Sequence, residues 1–447
     1  MFGRDSALPA ATGRFARLTV ALCALVLLTG ATSCDGNEPV TESLKSNPCC
    51  ALLAAANPDG LLRDSRLLIS QRRGAPADDR WELLGDTHIP QVMPGTPEWV
   101  WPYLLDVKEV ALPTGGNGYQ VHDLITDVVL GRGATLNDMI QGTDGLWGPV
   151  RMFVGISAVV PSGQPGGPVG TDLGRAGHFA RVSGAAVGNQ LHVCAVEAHG
   201  QVDRDIFDPA SDRFEGWTDV EMNSGSEVGQ FVDVACADAV NPATGLEELH
   251  VCGVTDDGRL WHSVESPFRT FSPFQDVELA NGQEVGQFER VDCAGNKGQL
   301  HLVGVTTNGR AWHTIRIPGG WSGFQDILDQ APPDPPTQTP PGSHGGMRDV
   351  AIGFCNDYVP ADGPRDVSQL NIVLTEGGGQ TGHSHIWHTI WSTNTVSWSP
   401  GAAPTHWRPT RDLGPIINHN SLSSVPATTV SNLWGGFSVG FRPFRPY

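Results

Sequence analysis

Through its second half the chain alternates short apolar runs with tight polar breaks. GQFVDVACA (229–237) alternates, with apolar Phe231 and Val234 among polar neighbours. LHVCGVT (249–255) is nearly all apolar, and a DDG turn (256–258) leads into RLWHSVE (259–265). FSPFQDVE (271–278) closes the unit. Period-two alternation and short β-branched runs between turn residues predict strands. The same pieces return as GQFERVDCA, LHLVGVT, RAWHTIR and WSGFQDI, and in part as GHFARVSGA and LHVCAVE.

An aromatic followed five positions later by Asp marks the end of each unit. It occurs as Trp81/Asp86, Phe214/Asp219, Phe271/Asp276, Trp321/Asp326 and Trp407/Asp412; Trp147 keeps the aromatic but has Met152 in place of Asp. Four short strands repeated at this scale predict an all-β chain folded as a β-propeller, because one blade cannot bury both its faces alone. Residues 49–86 supply three strands and lack a first one. The tail after 413 supplies the remainder, so a blade built from both termini closes the ring. Six blades follow, or seven if the tail forms more of a blade.

Charge and the N-terminus narrow the setting. The formal net charge is -20, without a basic cluster in the body of the chain, which argues against nucleic acid. Arg4, Arg14 and Arg17 precede the apolar run LTVALCALVLLTGA (18–31), which has the layout of a secretory signal. The run ends at ATSC, similar to a bacterial lipobox, making Cys34 a lipidation candidate; ordinary cleavage near this point is the alternative. The expected domains are therefore a signal segment (1–34), a polar tether (35–48) and a propeller (49–447). Export to the cell envelope, as a lipoprotein or a secreted protein, permits disulfides. Cys236 and Cys252 lie on the first two strands of one blade, expected to be antiparallel neighbours, and are a disulfide candidate. No spacing indicates a metal or cofactor. Asp203, Asp205, Asp208 and Asp212 suit an acidic solvated loop better than a calcium loop, since the Gly and terminal Glu of an EF-hand are missing.

The units LHVCGVTDDGRLWHS…FSPFQDV and LHLVGVTTNGRAWHT…WSGFQDI resemble the repeats of tectonin-type and fucose-binding bacterial β-propeller lectins. The resemblance implies glycan partners, fucose-like sugars among them, held in pockets between blades. It marks Arg259, Trp261 and His262, Arg310, Trp312 and His313, and Trp387 and His388 as carbohydrate-binding candidates. An indole stacks on the apolar face of a sugar ring, and Arg and His bond its hydroxyls. Alternation puts Arg259 and Trp261 on one face of the strand and Leu260 and His262 on the other. Both faces of a blade are covered, so a repeated Trp also suits blade packing, and both readings stand. For His192, His250 and His301 a satisfied core hydrogen bond is expected. The equivalent stretches elsewhere differ: Leu68 and Ile69 in the first unit, Asp203 and Arg204 in the third. The remaining functional alternatives are a propeller scaffold for an envelope protein and, ranked third, a glycoside-processing enzyme. No catalytic motif is recognisable, so a non-enzymatic role is expected.

Overall fold

The computed structural model describes residues 50–56, 61–70, 78–88, 103–113, 119–129, 133–141, 151–154, most of 179–413, and 436–441. The signal segment, Cys34 and the tether lie outside the described residues. Blade one holds β1 (Cys50–Ala56), β2 (Leu61–Ser70) and β3 (Asp78–His88). Blade two holds β4 (Tyr103–Pro113), β5 (Tyr119–Val129), β6 (Gly133–Gln141) and β7 (Arg151–Val154). Blade three holds β8 (Phe179–Val187), β9 (Gln190–Glu197), β10 (Val202–Asp208), β11 (Arg213–Phe214) and β12 (Thr218–Asp219). Blade four holds β13 (Phe231–Val240), β14 (Glu247–Thr255), β15 (Leu260–Glu265) and β16 (Gln275–Asp276). Blade five holds β17 (Phe288–Asn296), β18 (Gln299–Thr306), β19 (Ala311–Ile317), β20 (Gly320–Trp321) and β21 (Gln325–Asp326). Blade six holds β22 (Met347–Tyr358), β23 (Val367–Glu376), β24 (His385–Val396), β25 (Thr405–Trp407) and β26 (Arg411–Asp412).

The last strand, β27 (Gly436–Phe441), pairs antiparallel with β1, so the sheet order of blade one is β27-β1-β2-β3. The innermost strands β27, β4, β8, β13, β17 and β22 touch in a closed cycle. The ring is thus a six-bladed β-propeller locked by both ends of the chain. Closure leaves each sheet face covered, which is why the second strands read as nearly continuous apolar runs.

The repeated sequence features act between blades. Burying Phe231, Val234 and Cys236 of blade four against Cys194 and Val196 of blade three builds one interface core. Phe288, Val291 and Cys293 of blade five do the same against Cys252 and Val254 of blade four. Each fully buried large side chain contributes about 1.5–3 kcal/mol. The turn glycines Gly200, Gly258 and Gly309 have φ of 90°, 83° and 78°, a region that suits glycine. Their carbonyls accept from Phe231, Phe288 and Met347 N–H of the next blade at 2.8, 2.9 and 3.0 Å. A Cβ on Gly258 would lie 2.6 Å from the Gln287 Cβ, so the close approach of blades excludes a side chain there.

The aromatic and Asp of each anchor have separate tasks. Asp219, Asp276 and Asp326 cap the one-turn helices α1 (Val220–Ser224), α2 (Val277–Asn281) and α3 (Ile327–Gln330), accepting from Met222, Leu279 and Leu328 N–H. Such caps contribute about 0.5–2 kcal/mol each. The aromatic packs on strand three of the preceding blade. Trp321 meets the edge of His262 at 5.2 Å, Trp407 meets His313 at 5.4 Å, and the Arg204 guanidinium lies 5.6 Å from the Phe271 ring centre.

The centre of the ring is polar. Lys108 on β4 donates to Asp292 Oδ1 on β17 at 2.6 Å. Blades two and five are opposite one another in a ring of six, so this buried pair crosses the middle. Asp292 Oδ2 also accepts from Ile352 N–H at 2.7 Å, and Asp233 Oδ2 from Val291 N–H at 2.8 Å. Burial pushes the Asp349 carboxyl up to about 6, against the pull of Arg181 and Arg290. Burial also lowers the Lys108 ammonium, but Asp292 more than offsets this and leaves it raised.

The proposed Cys236–Cys252 bridge is corrected by register. Cys252 stands opposite Ala235, and Cys236 opposite Val251. The one-residue offset sends the two side chains to opposite faces of the sheet, Cys236 toward blade three and Cys252 toward blade five. The two are therefore not bridged to one another.

Candidate functional site

The alternation read from RLWHS holds. Trp261 packs toward blade three and Leu260 toward blade five. Four of the eight candidate residues are buried. His262, His313 and His388 are buried at 3%, 1% and 2% exposure, and Trp387 at 2%. This burial runs against the sugar-contacting role given to these four: His262 and His313 are met by Trp321 and Trp407 of the following blades, Trp387 packs in a core with blade five, and His388 pairs with Asn371. Trp261 and Trp312 are half-buried against interface cores, and Trp261 Nε1 donates to Thr255 Oγ1 at 3.1 Å. Arg259 donates to the helix-capping Asp276 at 3.0 Å, and Arg310 Nε to Asp326 at 2.5 Å. These arginines tie the turn before strand three to the end of their own blade.

The histidines form internal pairs. His250 Nδ1 and His262 Nε2 are 2.9 Å apart, and His301 Nδ1 and His313 Nε2 3.0 Å, one ring of each pair donating. In blade six Asn371 takes the first position, with its Oδ1 3.0 Å from His388 Nε2. The core role expected for His250 and His301 is what the structure shows. Burial pushes His250 down to about 3, helped by the Arg316 charge, and pushes His313 and His388 to about 3. His192, His262 and His301 are lowered too, chiefly by burial.

A depressed histidine stays neutral in the fold while the unfolded chain takes up its proton below about pH 6.5. Stability from these residues is therefore present above that pH and lost as pH falls toward 3. Each histidine contributes a slope on the order of 1.4 kcal/mol per pH unit. His250→Asn reproduces the blade-six pair and removes one titration. Urea midpoints at stepped pH should show the variant losing less stability than the wild type between about pH 6 and 4. Parallel profiles would show that His250 does not titrate on unfolding.

Two clefts open between blades, at the far end of strand three from Arg259. One, about 470 Å³, lies between blades four and five. Asn241, Glu248, His250 and Gln275 line it from blade four, and Leu300, Arg316 and Trp321 from blade five. Arg316 is half-buried with no hydrogen bond or ion pair to its guanidinium among the described residues. The Trp321 indole N–H is also without a partner, and Glu248 Oε1 accepts from Asn241 at 2.8 Å.

The second cleft, about 420 Å³, repeats the first between blades three and four. Gln190 and His192 face Glu247, Leu249, Glu265 and Arg269. Here Glu265 holds the position that Arg316 holds in the first, so the clefts carry opposite charge at their floors. Glu265 is bound by Arg204 of blade three and lies 3.6 Å from His192 Nδ1. Arg269, with φ of 62°, reaches across the rim to Glu215 at 3.0 Å and Gln190 at 3.1 Å.

None of the three tryptophan sites expected from the repeat lines either cleft. The residues lining the first cleft include ones whose sequence pattern marks them as structural, namely Trp321 of an anchor pair and His250 of strand two. The usable signal is variation within the repeat, where Glu265 and Arg316 occupy one repeat position with opposite charge. Of the acidic stretch, Asp203 and Asp205 are buried in β10 instead of lying in a solvated loop; Asp205 accepts from Ile206 and Gly216 N–H, Asp208 accepts from Ala210 N–H at the turn that follows, and Asp212 lies outside the described residues. Among the described residues no cluster of His, Cys, Asp and Glu is suited to a metal ion.

No protein-family model matches the chain, and no curated protein matches it. Among solved structures it is similar to the fucose-specific lectin from Aleuria aurantia, with 11% identity over 75% of this chain and 84% of that one, at a TM-score of 0.41. It is similar to AofleA from Arthrobotrys oligospora, with 11% identity over 81% of this chain and 88% of that one, at 0.40. A Hadza microbial sialidase, Hz136, shows 10% identity over 74% of this chain and 66% of that one, at 0.40.

Proposed function

We propose that the chain is a carbohydrate-binding propeller that takes sugars in clefts between its blades. The observation that carries this reading is the cleft between blades four and five. It joins an indole, an unpaired guanidinium and a carboxylate in a volume suited to a small ligand. The guanidinium and indole N–H donate to sugar oxygens, Glu248 accepts from a hydroxyl, and the ring's C–H face packs on apolar wall. Repetition of the cleft one blade earlier favours this over a scaffold for another protein, which needs one continuous patch. The reading is of binding without catalysis. Export and a lipid anchor on Cys34 belong to the same proposal, tested by the mass of the mature N-terminal peptide.

A glycan array carrying fucosylated and other sugars tests the function. Arg316→Ala removes a charge-assisted donor, worth about 1.5–3 kcal/mol, so binding should weaken roughly tenfold or more. The thermal midpoint should hold, because Arg316 supports no partner in the fold. A wild type that binds no glycan sinks the reading and leaves the scaffold; undiminished binding by Arg316→Ala moves the site elsewhere.

A further inference from the structure

Each interface between blades brings one residue of a second strand against one residue of the next blade's first strand. Across successive interfaces from blades two/three to five/six, the pairs are Leu124 with Gly184, Cys194 with Cys236, Cys252 with Cys293, and Val303 with Ile352. The register is the same in each blade: Leu124 stands opposite Lys108, Cys194 opposite Ser183, Cys252 opposite Ala235 and Val303 opposite Asp292. A Cβ built on Gly184 would lie 2.7 Å from Leu124 Cδ1, so these two positions face each other closely. Val303 and Ile352 pack in one core. Where the first member is Cys, the second is Cys.

Each cysteine pair is buried in one interface core, Cys194 with Cys236 between blades three and four and Cys252 with Cys293 between blades four and five. Cys236 N–H donates to Ser183 Oγ at 2.9 Å, and Ser183 is the register partner of Cys194. All four thiols are buried. We propose that Cys194–Cys236 and Cys252–Cys293 are two inter-blade disulfides, stapling blade three to four and blade four to five.

The oxidant is a small-molecule or protein disulfide. One cysteine gives up its proton, and its thiolate attacks a sulfur of the donor. The donor's S–S bond breaks and one thiolate leaves, taking that proton. The second cysteine, deprotonated in turn, attacks the protein sulfur of the mixed disulfide and releases the other half as a thiol. The cysteines lose two hydrogens per bridge and the donor gains them. Burial pushes the Cys194 and Cys293 thiols well above their ordinary range, so thiolate is scarce inside the closed ring. Bridging therefore belongs to the stage at which neighbouring blades dock.

The full chain is refolded from denaturant in a glutathione redox buffer, free thiols are alkylated, and the protein is digested without reduction. Cleavage after both Arg and Glu is needed, because no Lys or Arg separates Cys236 from Cys252, whereas Glu247 and Glu248 do. Two linked peptide pairs, 194 with 236 and 252 with 293, are expected. Four alkylated cysteines, a glutathione adduct in place of a bridge, or a 236–252 link overturns the proposal. If refolding fails, the same mapping on chain expressed into an oxidising compartment, with free thiols alkylated at lysis, decides the matter. Thermal midpoints supply a second readout. Reductant should lower that of the oxidised wild type and leave unmoved a variant with Cys194→Val, Cys236→Ile, Cys252→Val and Cys293→Ile, the pair used at the next interface. Equal midpoints for the wild type with and without reductant count against the staples.

Discussion

Replacing Lys108 by Met is expected to lower the unfolding free energy by about 3–5 kcal/mol. The ammonium lies 2.6 Å from Asp292, and both side chains are almost entirely covered. Removing one partner of a buried ion pair leaves the other charge desolvated without compensation. Asp292 keeps its bonds from Ile352 and Cys293 N–H, which limits the loss without cancelling it. The double variant Lys108→Met, Asp292→Leu should recover much of the stability, since apolar groups of similar size tolerate burial. Denaturant unfolding of the three variants measures this as a double-mutant cycle. A single variant as stable as the wild type would mean that the charges do not meet across the ring.

Trp387→Ala should cost a similar amount, about 3–5 kcal/mol, with no change in glycan binding at the cleft between blades four and five. Its side chain is buried in the core shared by blades five and six, and its Nε1 donates to the buried Glu376 at 2.8 Å. Truncation opens a cavity in the interface and removes one partner of that carboxylate. Urea unfolding and sugar binding are to be measured on the same protein. Intact stability with weakened binding would restore the sugar-stacking role that the repeat resemblance implies for this residue.

The contrast between Trp387 and Trp321 shows how far a repeat can be read. Both are tryptophans at repeat positions, yet one is core and the other lines a cleft. Spacing identifies the position and the strand face, and Trp261 against Leu260 follows the alternation. Which neighbour covers that face depends on how blades stack. The pair Glu265 and Arg316 makes the same point: two charges at one repeat position mark where the repeat stops being structural.

Strand periodicity, glycine turns and the capping aspartates are local properties, dictated by φ/ψ preference and by hydrogen bonds within a few residues. They determined the all-β class and the blade unit, and the strand missing from the first unit pointed to its completion by the C-terminal tail. The tertiary structure alone decided which groups meet. Lys108 finds Asp292 at a separation of 184 residues, and Cys252 turns away from Cys236 on its own sheet toward Cys293 on the next. The clefts are likewise assembled from the turns of adjacent blades. Such contacts follow from register and from the rotation between stacked sheets, and neither is written in the order of residues along one strand.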